Sequence, residues 1–171
     1  MAAFMSSPTK LICLLAALAI GSLAAVLAMP VRSAPEAEFT TLAGERFATS
    51  GLRGKVAVVS FWATSCGVCV AEMPAMIETY REFAPRGLEM VAVAMRHDRA
   101  SRVAEFAEHR ALPFKVALDA SGEVARRFGN IHITPTTFVL DRNGRVLRRF
   151  VGAPDWREFK SLVEKALAEP A

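Results

Sequence analysis

Two cysteines stand two residues apart in the stretch WATSCGVC, which spans residues 62–69. Cys66 and Cys69 could bind a metal, cross-link the chain, or exchange electrons as a dithiol that closes to a disulfide. The only other cysteine in the sequence is Cys13, so a second cysteine pair that would complete a tetrahedral zinc site is lacking. The spacing therefore favours redox chemistry, and metal binding is the main alternative.

The position of the pair in the predicted secondary structure also favours redox chemistry. VAVVSFWA, residues 56–63, is an apolar run typical of a strand that is buried on both faces. From Cys66 to about Phe83, apolar residues recur at steps of three and four, which predicts a helix. Cys66 would cap this helix, where unpaired backbone amides and the helix dipole favour a thiolate. Because the thiolate is the attacking species, Cys66 is the predicted nucleophile and Cys69 the resolving thiol.

Two further features of the sequence could take part in this chemistry. Glu72 follows Cys69 by three positions and shares its helix face, where a carboxyl could move the proton of Cys69 or tune its pKa. An ordinary exposed helix glutamate is the alternative. Pro135 begins a predicted strand, and a cis Thr134–Pro135 bond would leave the backbone of Thr134 free to pair with an extended peptide. An ordinary loop proline is the alternative there.

The other predicted elements would hold these residues in a layered domain. Apolar periodicity and turn residues predict two more buried strands, two more helices and a hairpin at each end of the domain. They also predict a final helix capped by Asp155. Their approximate ranges are 88–96 and 114–118 for the strands, 99–110 and 122–129 for the helices, and 39–55 and 136–152 for the hairpins. Parallel strands joined by helices and closed by an antiparallel hairpin predict a three-layer α/β/α fold around a central mixed sheet.

The N-terminal segment, residues 1–29, predicts export from the cytoplasm. Residues 11–29 carry no charge, and as a helix they would span roughly 28 Å, about one bilayer core. We therefore expect a single-pass inner-membrane anchor with a cytoplasmic N-terminus. The alternative is a signal peptide cleaved near residues 26–28, which would leave a soluble periplasmic protein. Residues 30–38 are interpreted as a linker and residues 39–169 as the folded domain.

Charge and histidine placement predict neither nucleic-acid binding nor a metal or other cofactor. The chain has 21 basic and 17 acidic residues, and the arginine pairs at 126–127 and 148–149 are typical of solvated faces. The histidines lie singly along the sequence, without the spacing of a ligand pair, at His97, His109 and His132.

Together these residues resemble the thioredoxin superfamily and, within it, the membrane-anchored TlpA/ResA/DsbE(CcmG)-like thiol–disulfide oxidoreductases. The resemblance runs from about Phe39 to Leu167, with an extra helix and strand between the dithiol helix and Pro135. It rests on FWATSCGVC (61–69), Glu72, Pro74, TPTTF (134–138) and DRNG (141–144).

The resemblance implies a redox-active Cys66–Cys69 disulfide, with Pro135 as a cis-proline facing it and Glu72 as the active-site glutamate. The residues implied to contact substrate are Trp62, Gly67, Val68, Thr134 and Pro135. The implied activity is reduction of disulfides in exported proteins, with apocytochrome c as the best-known substrate of such proteins. Electrons would come from a membrane reductase of the DsbD/CcdA type.

The sequence also departs from the superfamily pattern near the cysteines. Ser60 stands where thioredoxins have a buried acid, and Val68 stands where proline is usual between the cysteines. The reduction potential and the direction of electron flow therefore cannot be carried over from the superfamily to this chain. A dithiol oxidase or isomerase on the same fold is an alternative. A copper-binding metallochaperone is a second alternative, since Met95 and His97 accompany the thiol pair.

Overall fold

The computed structural model describes residues 33–169, and the predicted anchor at residues 11–29 lies outside the described residues. The described part contains seven β-strands and four α-helices around a central mixed sheet. None of the helices in this part is long and apolar enough to cross a bilayer.

The elements follow the order that the sequence predicts. The strands are β1 Glu38–Thr40, β2 Arg46–Ala48, β3 Val56–Trp62, β4 Leu88–Ala94, β5 Lys115–Leu118, β6 Thr136–Leu140 and β7 Val146–Val151. The helices are α1 Gly67–Phe83, α2 Ala100–His109, α3 Glu123–Arg127 and α4 Trp156–Ala168. Between α1 and β6 the chain forms β4, α2, β5 and α3, so two strands and two helices separate the dithiol helix from Pro135.

The large sheet has the strand order β5-β4-β3-β6-β7. Strands β3, β4 and β5 are parallel, and β6 and β7 complete the sheet as an antiparallel hairpin. Because β3 is the central strand, the loop that follows it lies in the middle of one sheet edge. The predicted central mixed sheet is confirmed, and it carries the cysteine loop at that edge.

Alternating side chains of β3 build two cores, one on each face of the sheet. Val58 and Trp62 lie in a cluster with residues of α1 and α4, including Phe159. Val59 and Phe61 lie in the opposite cluster with residues of β1 and with Phe128, directly after α3. Successive strand residues point to opposite faces, so a continuous apolar run is needed when both faces are covered. The three layers follow from this arrangement.

The two predicted hairpins form, and the N-terminal one forms its own small sheet. Strands β1 and β2 pair with Phe39 opposite Phe47. The segment before β1 also contacts the domain, because the backbone N–H of Ala34 donates to the carbonyl of Gly144 at 2.8 Å. In the turn between β6 and β7, Gly144 has a φ of 77°, which glycine adopts readily.

Candidate active site

A disulfide joins Cys66 and Cys69 at the point where β3 leads into α1. Cys66 is the N-cap residue of α1, and its Sγ accepts a hydrogen bond from the backbone N–H of Cys69 at 3.2 Å. Cys66 is half-buried, whereas Cys69 is fully buried. A substrate sulfur arriving from solvent can therefore reach Cys66 but not Cys69.

The loop before β6 lies against this disulfide. The Thr134–Pro135 peptide bond is cis, and the carbonyl oxygen of Thr134 lies 3.6 Å from Sγ of Cys66. In the disulfide this is a contact without a hydrogen, whereas the reduced thiol of Cys66 can act as a weak donor to that carbonyl. The Thr136 hydroxyl donates to the carbonyl of Ile133 at 2.7 Å and holds the loop from its far side. The structure thus brings Thr134 and Pro135 to the cysteine pair.

Glu72 is a buried carboxyl on the dithiol helix, not an exposed one. It lies on α1 three positions after Cys69, with 5% of its surface exposed. Its Oε2 has no hydrogen-bond partner, and burial raises the pKa of the carboxyl to about 7. Glu72 can therefore exchange a proton near neutral pH, one helical turn from the buried cysteine.

A hydroxyl pair occupies the strand position where thioredoxins carry an acid. Ser60 in β3 lies opposite Thr137 in β6, and their hydroxyl oxygens are 2.8 Å apart. Both side chains are buried, so each hydroxyl satisfies the other. This position offers no group that titrates near neutral pH.

Asp98 is a residue at the site that the sequence analysis did not single out. Its carboxylate accepts hydrogen bonds from the backbone N–H and the hydroxyl of Thr64, the latter at 2.7 Å. Thr64 stands two residues before Cys66, so Asp98 ties the cysteine loop to the loop after β4. The sequence carried a signal for this contact, because Thr64 follows β3 and Asp98 follows β4. Polar residues that follow neighbouring parallel strands meet at the same edge of the sheet.

The residues predicted to contact substrate divide into exposed and buried ones. Gly67 and Val68 are exposed beside the disulfide, and 52% of the Val68 surface is accessible. Trp62 requires a correction, because only 1% of it is exposed and its ring packs 5.1 Å from Phe106. It points into the core because the alternation along β3 turns it towards the helix layer. Ile133, which the sequence analysis did not select, is 61% exposed next to Thr134.

The residues considered for metal binding do not form a ligand set in the described part. Within residues 33–169, no group of three or more His, Cys, Asp or Glu side chains is arranged to hold an ion. Met95 is buried, whereas His97 and His132 are exposed and line a common cavity with it.

Comparisons with known proteins agree with this geometry. The family model described as Redoxin matches residues 30–167. The thiol-disulfide oxidoreductase ResA of Geobacillus kaustophilus is 36% identical over 120 residues, which cover 70% of this chain and 68% of that protein. ResA of Bacillus thuringiensis subsp. konkukian is 32% identical over 135 residues, covering 78% and 76%. A thioredoxin-family thiol:disulfide interchange protein from Chlorobium tepidum matches with a TM-score of 0.72 and 30% identity, covering 80% of this chain and 96% of that one. The chain therefore belongs to the Redoxin family within the thioredoxin superfamily and is a thiol–disulfide oxidoreductase.

Proposed function

We propose that this oxidoreductase works as a reductase, passing electrons from the Cys66–Cys69 dithiol to disulfides of exported proteins. The observation that carries the proposal is the buried, unpaired carboxyl of Glu72 one turn from Cys69. It supplies a proton acceptor for the resolving cysteine and a negative charge that opposes a thiolate there.

The reaction begins with the reduced dithiol. The Cys66 thiolate attacks one sulfur of the substrate disulfide, forms a mixed disulfide and releases the first substrate cysteine as a thiolate. Cys69 then loses its proton and attacks the Cys66 sulfur, which closes the Cys66–Cys69 disulfide and releases the second substrate thiolate. Both released thiolates take up protons. Two electrons thus pass to the substrate, and the chain is oxidised.

Glu72 supports the second attack in this sequence. With a pKa raised to about 7 by burial, its carboxylate is populated near neutral pH and can accept the proton of Cys69. Once Glu72 is ionised, its charge disfavours a second negative charge on Cys69 in the same buried region. Strong dithiol oxidants stabilise their reduced thiolate form, and a neighbouring carboxylate acts in the opposite sense. This argument favours the reductase over the oxidase or isomerase.

We further infer that the domain works on the periplasmic side of the inner membrane, held there by residues 11–29 with the N-terminus in the cytoplasm. The length and lack of charge of that segment support the anchor, and a soluble periplasmic form after cleavage is the alternative. Apocytochromes c suit such an enzyme as substrates, because their paired cysteines must be reduced before haem is attached. A DsbD/CcdA-type membrane protein would return electrons to the chain.

The reduction potential of the Cys66–Cys69 pair tests the direction of electron flow. The protein is equilibrated with dithiothreitol or glutathione buffers, and the fraction of free thiol is measured by alkylation. A value near or below roughly −270 mV supports an electron donor, whereas a value near about −120 mV would identify an oxidant and contradict the proposal.

A second test uses the cysteine predicted to attack. Cys66→Ser should abolish the reduction of insulin disulfides, because the serine hydroxyl does not form the mixed disulfide. Full activity of Cys66→Ser would refute the mechanism. Cys13→Ser is the matched control for removal of a cysteine, and it should keep the insulin-reducing activity of the wild type.

A further inference from the structure

A cavity of about 410 Å³ opens between the loop after β4 and the loop that leads to Thr134. Its lining includes Met95, Arg96, His97, Arg126, Ile131 and His132. The site described above uses none of these side chains. Its volume is enough for the side chain of a bound polypeptide together with a few waters.

The polar lining of this cavity is cationic. Arg96 is exposed and forms no ion pair within residues 33–169. Glu123 is the one carboxylate that lines it in the described part, and it already accepts hydrogen bonds from Arg126 at 2.6 Å and from Arg127 at 2.8 Å. His97, which also lines the cavity, contributes no negative charge. A ligand in the cavity would therefore meet hydrogen-bond donors and the unpaired guanidinium of Arg96, because the charge of Glu123 is already neutralised by its two arginine partners.

The backbone makes room for the guanidinium at this place. Gly122 has a φ of +76°, and a Cβ built on it would lie 2.9 Å from Cδ of Arg96. The Arg96 side chain thus crosses directly over Gly122, where any larger residue would displace it. The lack of a side chain on Gly122 therefore leaves room for the stem of Arg96 in the lining of the cavity.

The cavity adjoins the disulfide. His132 stands two residues before Thr134, whose carbonyl oxygen lies 3.6 Å from Sγ of Cys66. On the other wall, the backbone N–H of Met95 donates to the carbonyl of Trp62 at 3.0 Å, at the end of β3. Two residues of chain span at most about 7 Å, and the Thr134 carbonyl and its 3.6 Å contact add to this, so the His132 backbone lies within roughly 13 Å of Cys66 Sγ.

We infer that this cationic cavity binds a carboxylate side chain of the disulfide-bearing polypeptide, about three residues from the cysteine that Cys66 attacks. Three residues of extended peptide cover roughly 10 Å, a length that lies within this bound. Between the two points the exposed side chain of Ile133 offers an apolar contact. The inference deepens the proposed function, on which it rests, by naming an acidic substrate class.

Binding measured without redox chemistry tests the inference directly. Three fluorescent peptides are used, each with serine in place of the cysteine that Cys66 would attack. They differ at one position, three residues from that serine, which is glutamate, glutamine or lysine. Their affinities for the full-length oxidised protein are measured by fluorescence anisotropy. We expect the glutamate peptide to bind about fivefold more tightly than the glutamine peptide, the effect of one favourable ion pair. The preference should decrease at high salt.

Substitutions of Arg96 locate the effect. Arg96→Glu should remove or reverse the preference for glutamate, and Arg96→Lys should retain most of it. Arg81→Glu makes the same charge change near the other end of α1, about 21 Å along the helix from Gly67, and should retain the preference. Equal binding of the three peptides to the wild-type protein, or an unchanged preference in Arg96→Glu, would overturn the inference.

Exchange kinetics separate this inference from the proposed function. Reduced protein is mixed with three matching peptides in which the cysteines are restored and joined in a disulfide, and the rate of peptide reduction is followed. A glutamate preference in binding with no reduction of any peptide contradicts the reductase and leaves the cavity inference standing. Reduction of all three peptides at equal rates, with equal binding, supports the reductase and removes the cavity inference.

Discussion

Replacing Glu72 by glutamine removes a buried carboxyl while keeping the size of the side chain. In the folded protein this carboxyl is 5% exposed, its Oε2 has no hydrogen-bond partner, and burial raises its pKa from the ordinary 4.5 to about 7. The unfolded chain exposes the same carboxyl to water. The folded and unfolded states therefore bind different numbers of protons between these two pKa values, and stability must depend on pH there.

The sign and size of this dependence follow from the two pKa values. Between about pH 4.5 and 7 the folded state holds the proton and the unfolded state has lost it, so the free energy of unfolding decreases as pH increases. Each pKa unit corresponds to about 1.4 kcal/mol, which gives Glu72 a destabilising effect of about 3 kcal/mol above pH 7. Below about pH 4.5 the carboxyl is neutral in both states and this effect vanishes.

Urea unfolding of the oxidised protein measures the effect. Without reductant, the Cys66–Cys69 disulfide is present in both states. Near pH 4.5 we expect the free energies of unfolding of wild type and Glu72→Gln to differ only by the constant cost of burying the amide. By pH 8 the variant should have gained about 3 kcal/mol relative to wild type. Glu105→Gln, an exposed change on α2, is the control and should show no such pH-dependent gain.

Only the change between the two pH values tests the reasoning, because a buried amide has its own desolvation penalty at every pH. A difference between Glu72→Gln and wild type that stays constant from pH 4.5 to 8 would refute it. That result would mean that the carboxyl is solvated or paired in the folded protein. Its raised pKa, and with it the argument for proton acceptance from Cys69, would then be wrong.

Substitutions at four further positions test other parts of the site. Cys69→Ser should trap the mixed disulfide with substrate as a covalent adduct, visible on a non-reducing gel, and a lack of any adduct would contradict its resolving role. Asp98→Ala should lower the free energy of unfolding by about 2 kcal/mol in urea, because both donors of Thr64 lose their acceptor, whereas Asp98→Asn can still pair with both groups and should lose less. Ser60→Ala should lower the free energy of unfolding by about 1–2 kcal/mol, because it leaves the buried Thr137 hydroxyl without a partner. Adding Thr137→Val to Ser60→Ala should recover part of this loss. If the two substitutions instead lower the free energy of unfolding independently and additively, the hydroxyl pair is excluded.

The sequence predicts the fold well because its strongest signals are local. The buried run at residues 56–63 becomes β3, and the run at residues 88–96 becomes β4, each ending within two residues of its predicted bound. Central strands covered on both faces must be apolar along their whole length, which is a signal that a single sequence shows clearly. Asp155 caps α4 as predicted, since its carboxylate accepts the backbone N–H of Glu158 at 2.9 Å.

Other parts of the site depend on contacts between distant segments and escape such reasoning. The Asp98–Thr64 contact joins residues 34 positions apart. The cavity beside the disulfide likewise combines Arg96 with His132 from another loop. Trp62, which the family resemblance implies to contact substrate, is buried instead, and the continuous apolar run around it has no period that would indicate which face each residue takes.

The buried carboxyl of this site lies on the dithiol helix instead of the central strand. At the strand position, Ser60 and Thr137 satisfy each other and leave no proton acceptor. Glu72 lies on the same helix as Cys69, so any movement of α1 carries the acid and the resolving cysteine together. The hydrogen bond from the Cys69 N–H to Cys66 Sγ favours negative charge at the half-buried Cys66, while the Glu72 carboxylate opposes it at the buried Cys69. Opposite electrostatic environments at the two ends of one helical turn thus support the proposed attack by Cys66 and proton release from Cys69.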